Sequence, residues 1–196
     1  MIDDLHSQMN EHPNIGVACL YADYKDQSSQ TLAHILGSFL HQFLTSAQQP
    51  IPDEVVQILR TIRNQAKKVE AEDILAMLEI WLHQFKRAFI CIDAIDELEP
   101  KVLQQLLNVF KVLVTKNIRL LLTGRDHIES EVHKHLRVTP QYKVMVSASH
   151  EDIQEFIKQQ IMDDLNPDAM DEALAKDIVD TIIKKSRGMY ITIQKL

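Results

Sequence analysis

Glycine is scarce in this chain, with four in 196 residues, at Gly16, Gly37, Gly124 and Gly188. None is followed by Lys-Ser or Lys-Thr, so these residues contain no G-x-x-x-x-G-K-[ST] loop, whose backbone N–H groups and lysine cradle phosphates. The dinucleotide fingerprint G-x-G-x-x-G is absent too. Cysteine is limited to Cys19 and Cys91, each inside an apolar run. That fits buried, reduced thiols rather than a disulfide framework, and neither cysteine takes part in a metal-ligand spacing. No stretch approaches the roughly 18 apolar residues of a membrane helix. The start, Met1-Ile2-Asp3-Asp4, lacks the basic region and apolar core of a signal peptide. Positive charge is in deficit: 21 Lys and Arg stand against 28 Asp and Glu, a net charge of −7. That balance argues against a dedicated binder of nucleic acid or of an anionic membrane surface. The expectation is a cytoplasmic protein whose partners are neither nucleic acid nor membrane.

Catalytic signatures of other kinds are missing as well. There is no G-x-S-x-G elbow, so Ser, His and Asp have no hydrolase context. His133 and His135 lie two apart on a predicted helix, where side chains diverge, and a surface role suits them better than metal binding. Arg60, Arg63, Lys67 and Lys68 read as the solvated face of a helix.

What is present is ordinary in bulk, 45% hydrophobic and 25% charged, and long enough for one domain with a sizeable core and a small appendage. Ile2, Leu5 and Met9 have helical spacing, and Pro13-Asn14 ends that run. Residues 15–21 read as a strand, 23–27 as a polar loop, and Ser28 or Ser29 as the cap of a helix carrying Leu32, Ile35, Leu36, Phe39, Leu40, Phe43 and Leu44. Helices are expected at about 53–66, 71–86 and 100–116, with strands at 88–93 and 118–123. A short helix near 127–136 and a strand near 142–146 follow. Ser149 and Asp152 resemble a capping box before a helix with Ile153, Phe156, Ile157 and Ile161. A last long helix carries Leu174, Ile178, Val179, Ile182 and Ile183 and ends near Gly188. Strand and helix alternate and then only helices remain, which means an α/β parallel sheet with a helical extension.

The most telling segment is Phe89-Ile-Cys-Ile-Asp93-Ala-Ile-Asp96-Glu97-Leu98. A short apolar run suits a strand buried on both faces. A carboxylate at its C-terminal end sits at the rim where open α/β sheets bind ligands. Asp93, Asp96 and Glu97 together make an oxygen-rich site suited to Mg²⁺ and a phosphate ester. The plainer alternative is a buried strand followed by a solvated acidic loop. Strand 118–123 ends in Thr123-Gly124-Arg125, and right-handed crossovers bring it to the same rim. Asp93, Thr123 and Lys143 could imitate a receiver domain, but the acidic pair after the first strand is missing and the chain is too long.

Taken in order, Val17–Asp26, Phe89–Leu98, Arg119–Arg125 and Ser149–Ile157 resemble the NACHT family of signal-transducing STAND P-loop NTPases. The nearest likeness is to fungal NACHT proteins and the nephrocystin-like N-terminal domain. Arg187-Gly-Met-Tyr190 resembles the end of that family's helical lid. The resemblance implies a P-loop NTPase-like three-layer αβα sheet over residues 1–147, lacking its first strand and phosphate loop (Walker A), with a helical lid over 148–196. Such a chain could be a fragment, a mispredicted gene start or a degenerate product.

The resemblance also implies roles. Asp93 in the Walker B-like segment would hold Mg²⁺. Asp96 would orient or deprotonate the attacking water, with Glu97 in support. Thr123 and Arg125 would contact ATP or GTP, Arg125 as the residue that reads the γ-phosphate. The family's usual Thr-Ser-Arg is here Thr-Gly-Arg. The implied activity is NTP hydrolysis coupled to signalling of the fungal innate-immunity or incompatibility type. Charge-assisted hydrogen bonds contribute roughly 1.5–3 kcal/mol each. Without several of them the chain alone is expected neither to bind ATP tightly nor to hydrolyse it. The alternative is an interaction module that associates with related NACHT proteins. An open sheet edge would also make the chain marginally stable or prone to association.

Overall fold

The computed structural model describes residues 14–46, 50–114, 118–136, 144, 149–162 and 172–186. The chain divides into two compact units, residues 1–138 and 139–196. The expected helix over 1–11, the strand near 142–146, Lys143, Gly188 and the 187–190 segment lie outside the described residues.

The first unit is built on three parallel strands, β1 (Ile15–Tyr21), β2 (Arg87–Asp93) and β3 (Ile118–Leu122), in the order β1-β2-β3. This is the α/β parallel sheet expected from the alternation of elements. Register sets Gly16, Ala88 and Ile118 side by side, then Ala18, Ile90 and Leu120, then Leu20, Ile92 and Leu122. Because side chains alternate along a strand, these nine share one face. That face packs on one continuous core formed with α1 (Leu32–Ser46), α2 (Asp53–Asn64), α3 (Ala71–Leu82) and α4 (Pro100–Leu113). Both crossovers step in the same direction along the sheet, and right-handedness puts their helices on the same side. Val17 and Cys91, on the opposite face, are each 1% exposed, so the sheet is covered on both faces at these two positions.

Small residues decide how closely the helices approach. A Cβ on Gly16 would lie 2.9 Å from Phe43 Cδ1 and 3.0 Å from Phe85 Cδ1. Phe43 and Phe85 therefore sit directly over the start of β1, their ring centroids 5.5 Å apart, with Trp81 edge-on to Phe85 at 6.4 Å. The outer edge of β1 is closed by a side chain. The Gln42 amide accepts the Cys19 N–H at 2.8 Å and donates to the Cys19 carbonyl at 2.9 Å, taking the place of a neighbouring strand.

Two boundaries differ from the sequence reading. Neither Ser28 nor Ser29 caps α1: the Ser29 hydroxyl is spent on the Asp26 carboxylate at 2.6 Å, and Thr31 Oγ1 accepts the His34 N–H instead. Helix α3 ends at Leu82, and a turn carries the chain to Lys86, whose N–H binds the Asn14 carbonyl at 2.9 Å, in register for β2. Past β3, a single 3-10 turn (Asp126–Ile128) leads into α5 (Glu129–Leu136).

In the second unit, α6 (His150–Met162) and α7 (Glu172–Ser186) pack through Ile153, Ile157, Val179 and Ile182. Ser149 and Asp152 form the expected reciprocal cap, with each side chain accepting the other's backbone N–H at 3.0 and 3.2 Å.

Candidate functional site

The C-terminal ends of β1, β2 and β3 carry the chemistry. At the end of β2 the chain turns sharply. Ala94 adopts a left-handed conformation, φ 54° and ψ 47°, and Ile95–Glu97 form one 3-10 turn. Such a conformation costs an L-residue roughly 1–2 kcal/mol. Ile95 and Leu98, 1% and 3% exposed, anchor the turn in the core and offset that cost.

Thr123 holds the turn in place through both its backbone and its hydroxyl. Its N–H donates to the Ile92 carbonyl and its carbonyl accepts the Ile95 N–H, both at 2.9 Å. Its hydroxyl accepts the Ala94 N–H at 2.9 Å and donates to Asp93 Oδ1. The Asp93 carboxylate is thus oriented from the neighbouring strand, while Asp93 itself remains exposed.

Arg125 stands across the two following acids. Its Nη2 lies 3.3 Å from Glu97 Oε1 and its Nε 3.6 Å from Asp96 Oδ2, and its backbone N–H donates to Asp96 Oδ1 at 3.3 Å. The Asp96 side chain is only 3% exposed. The arginine side chain is 44% exposed, so solvent screens these pairs in part. Gly124 permits the approach: a Cβ there would lie 3.1 Å from both Asp96 Oδ1 and Ile128 Cγ2. The serine usual in the resembling family would crowd the acid that Arg125 engages.

The loop after β1 completes the rim. The Ala22 N–H donates to the Asp93 carbonyl at 3.0 Å, extending the β1–β2 pairing by one bond. Asp23 accepts the Lys25 N–H at 2.8 Å, and the Gln30 amide grips the Asp23 backbone on both sides. Glu97 reaches this loop, its Oε2 accepting the Tyr24 N–H at 3.2 Å and its carbonyl accepting Gln27 Nε2 at 2.9 Å.

All five residues singled out in the sequence, Asp93, Asp96, Glu97, Thr123 and Arg125, therefore converge on one rim. Tyr24 and Gln27 belong to the same network and carry no signal in the sequence, because some seventy positions separate them from Glu97. Two carboxylates, Asp96 and Glu97, face the Arg125 guanidinium, and Asp93 is held by Thr123. Among the described residues, no three His, Cys, Asp or Glu side chains gather into a metal-holding group. Asp96 and Glu97 are already engaged by Arg125. Asp93 differs: among the described residues Thr123 engages its Oδ1, and no side chain engages its Oδ2. A single carboxylate fits the way Mg²⁺ is commonly held, with water and phosphate oxygens supplying the remaining ligands.

Beneath the rim, Cys19 and Cys91 are register partners on β1 and β2 and are not disulfide-bonded. Burial, and then the adjacent Cys19 thiol, push the Cys91 thiol up to about 12 from the ordinary 9.0. Burial raises Cys19 as well. Among the described residues, no helix is long and apolar enough to cross a membrane.

Comparison with known proteins gives one family. The profile described as Nephrocystin 3, N-terminal matches residues 1–125, covering β1 through Arg125. No curated protein matches the chain. Among solved structures, a Walker-type ATPase of Pyrococcus abyssi is similar at 10% identity and a TM-score of 0.38, over 98% of this chain and 70% of that one. That likeness is too slight to carry an argument.

Proposed function

The chain belongs to the Nephrocystin 3 N-terminal family, and from that premise we propose that it is the nucleotide-binding α/β module of a signal-transducing NTPase of the NACHT or STAND type. The observation that carries this reading is the convergence of Asp93, Thr123 and Arg125 at the C-terminal rim of parallel strands, where open α/β sheets take ligands. Asp93 is the group that would hold Mg²⁺ of a bound ATP or GTP, through water, with Thr123 fixing its orientation. Arg125 would turn from Asp96 and Glu97 to the γ-phosphate. Asp96, relieved of the guanidinium, would then orient the attacking water, with Glu97 in support. Residues 148–196 would be the helical lid of a cytoplasmic switch.

The rim alone is a poor phosphate site. Three acids against one arginine repel an anion unless a cation lies between them. The 196 residues hold no G-x-x-x-x-G-K-[ST] loop, whose backbone N–H groups and lysine would supply the missing attraction. The test is equilibrium binding of a fluorescent ATP analogue with Mg²⁺, comparing this chain with one extended upstream in its genome. Tight, Mg²⁺-dependent binding by the extended chain, lost in Asp93→Ala and weakened in Arg125→Ala, is the expected result. Binding by neither chain favours a second reading, an interaction module that associates with relatives. β3 supports that alternative: among the described residues it has no strand on its outer side, and Leu120, Leu121 and Leu122 are only half-buried.

A further inference from the structure

The Glu97 side chain bridges the loop after β1 and the residues that follow β3. One carboxylate oxygen accepts the Tyr24 N–H and the other faces Arg125 Nη2. Its carbonyl is held by Gln27. At 17% exposure it is largely withdrawn from water. Its carbonyl and both carboxylate oxygens are thus engaged by neighbours on either side of the rim. The loop it grips is itself braced, with Asp23 bonded to Gln30 and to Lys25, and Asp26 to Ser29. A braced loop of this kind moves as a unit, and a carboxylate fastened to it moves along.

We propose that Glu97 is a positioning residue that couples the loop after β1 to Arg125, so that displacement of residues 24–27 changes whether the guanidinium is available to a phosphate. The coupling has a short path. Gln27 fixes the Glu97 backbone, Tyr24 fixes one carboxylate oxygen, and the remaining oxygen holds Arg125 against Asp96. Loosening either loop contact widens the range of Glu97 and weakens its hold on the arginine. The significance given to Arg125 rests on the phosphate-binding reading above, but the coupling can be measured without any nucleotide.

The experiment is chemical modification of arginine by phenylglyoxal on the folded chain, with adduct formation at each arginine followed by peptide mass spectrometry. Arg60 and Arg63 are exposed on α2 and serve as internal references. In the unsubstituted chain Arg125 is expected to react more slowly than Arg60. Gln27→Ala, which does not touch Arg125, should speed its modification by about two- to tenfold, the equivalent of one net hydrogen bond. Glu97→Gln should do the same or more, and neither change should alter the rate at Arg60. Glu97→Asp keeps the charge but is too short to span both partners, and should fall between. The proposal is overturned if Arg125 reacts as fast as Arg60 in the unsubstituted chain. It is also overturned if Gln27→Ala and Glu97→Gln leave the Arg125 rate unchanged while melting cooperatively. Failure of the ATP experiment with success here would refute the nucleotide reading and leave the coupling standing.

Discussion

Ala94 shows most plainly how the rim is held against local preference. Its left-handed backbone is forced by the turn that lets Thr123 reach both Asp93 and the Ala94 N–H. Glycine adopts this conformation without the steric cost but loses more entropy on folding. Ala94→Gly is therefore expected to stabilise the fold by about 0.5 kcal/mol, read as a higher urea midpoint at unchanged slope. Destabilisation would mean that the Ala94 methyl contributes more than its backbone costs. At this scale the site was largely legible. Asp93, Asp96 and Glu97 follow an apolar strand, and Thr123 and Arg125 end the next, so pattern alone put them at one rim. The ties from Tyr24 and Gln27 were not legible. One is a backbone N–H, and the other is a glutamine in a polar loop like many others.

At the scale of elements, buried patterns were read correctly and their ends less so. The apolar runs gave β1, β2 and β3, and the i, i+3, i+4 stripes gave α1 to α4. The start of α1 moved from Ser28 or Ser29 to Thr31 because Asp26 competes for the Ser29 hydroxyl. Gln42 lies among the apolar positions of α1 and has no signal in the sequence, yet it bonds the edge of β1. Such a contact joins residues 23 apart and depends on how α1 lies beside the strand. Gly16 tests that placement. Gly16→Ala sets a methyl against Phe43 and Phe85 at contact distances of 2.9–3.0 Å. Overpacking of this kind costs about 1–3 kcal/mol. Thermal melting should show the loss, and near-ultraviolet circular dichroism should report disturbance of the neighbouring Trp81. An unchanged melting point would mean that α1 lies further from β1 than described here.

For the whole molecule, the buried Cys91 beside Cys19 links the sheet to pH. The folded state holds the Cys91 proton more tightly than the unfolded chain does, because burial and the Cys19 thiol disfavour the thiolate. A raised folded-state value contributes stability in full below the unfolded value near 9.0, and that stability is lost as pH rises toward about 12. Unfolding midpoints measured from pH 8 upward should therefore fall, and Cys91→Ala should fall less steeply across the same range. Parallel curves for the two proteins would count against this assignment. Native Cys91 should also resist thiol reagents near neutral pH.

On the proposed function, the rim is a nucleotide site whose phosphate cradle is absent from these 196 residues. Isothermal titration of this chain with ATP and Mg²⁺ addresses that claim most directly. No binding below the millimolar range is expected. Micromolar affinity, abolished in Asp93→Ala, would contradict it and would mean that the rim grips phosphate by groups other than a glycine-rich loop.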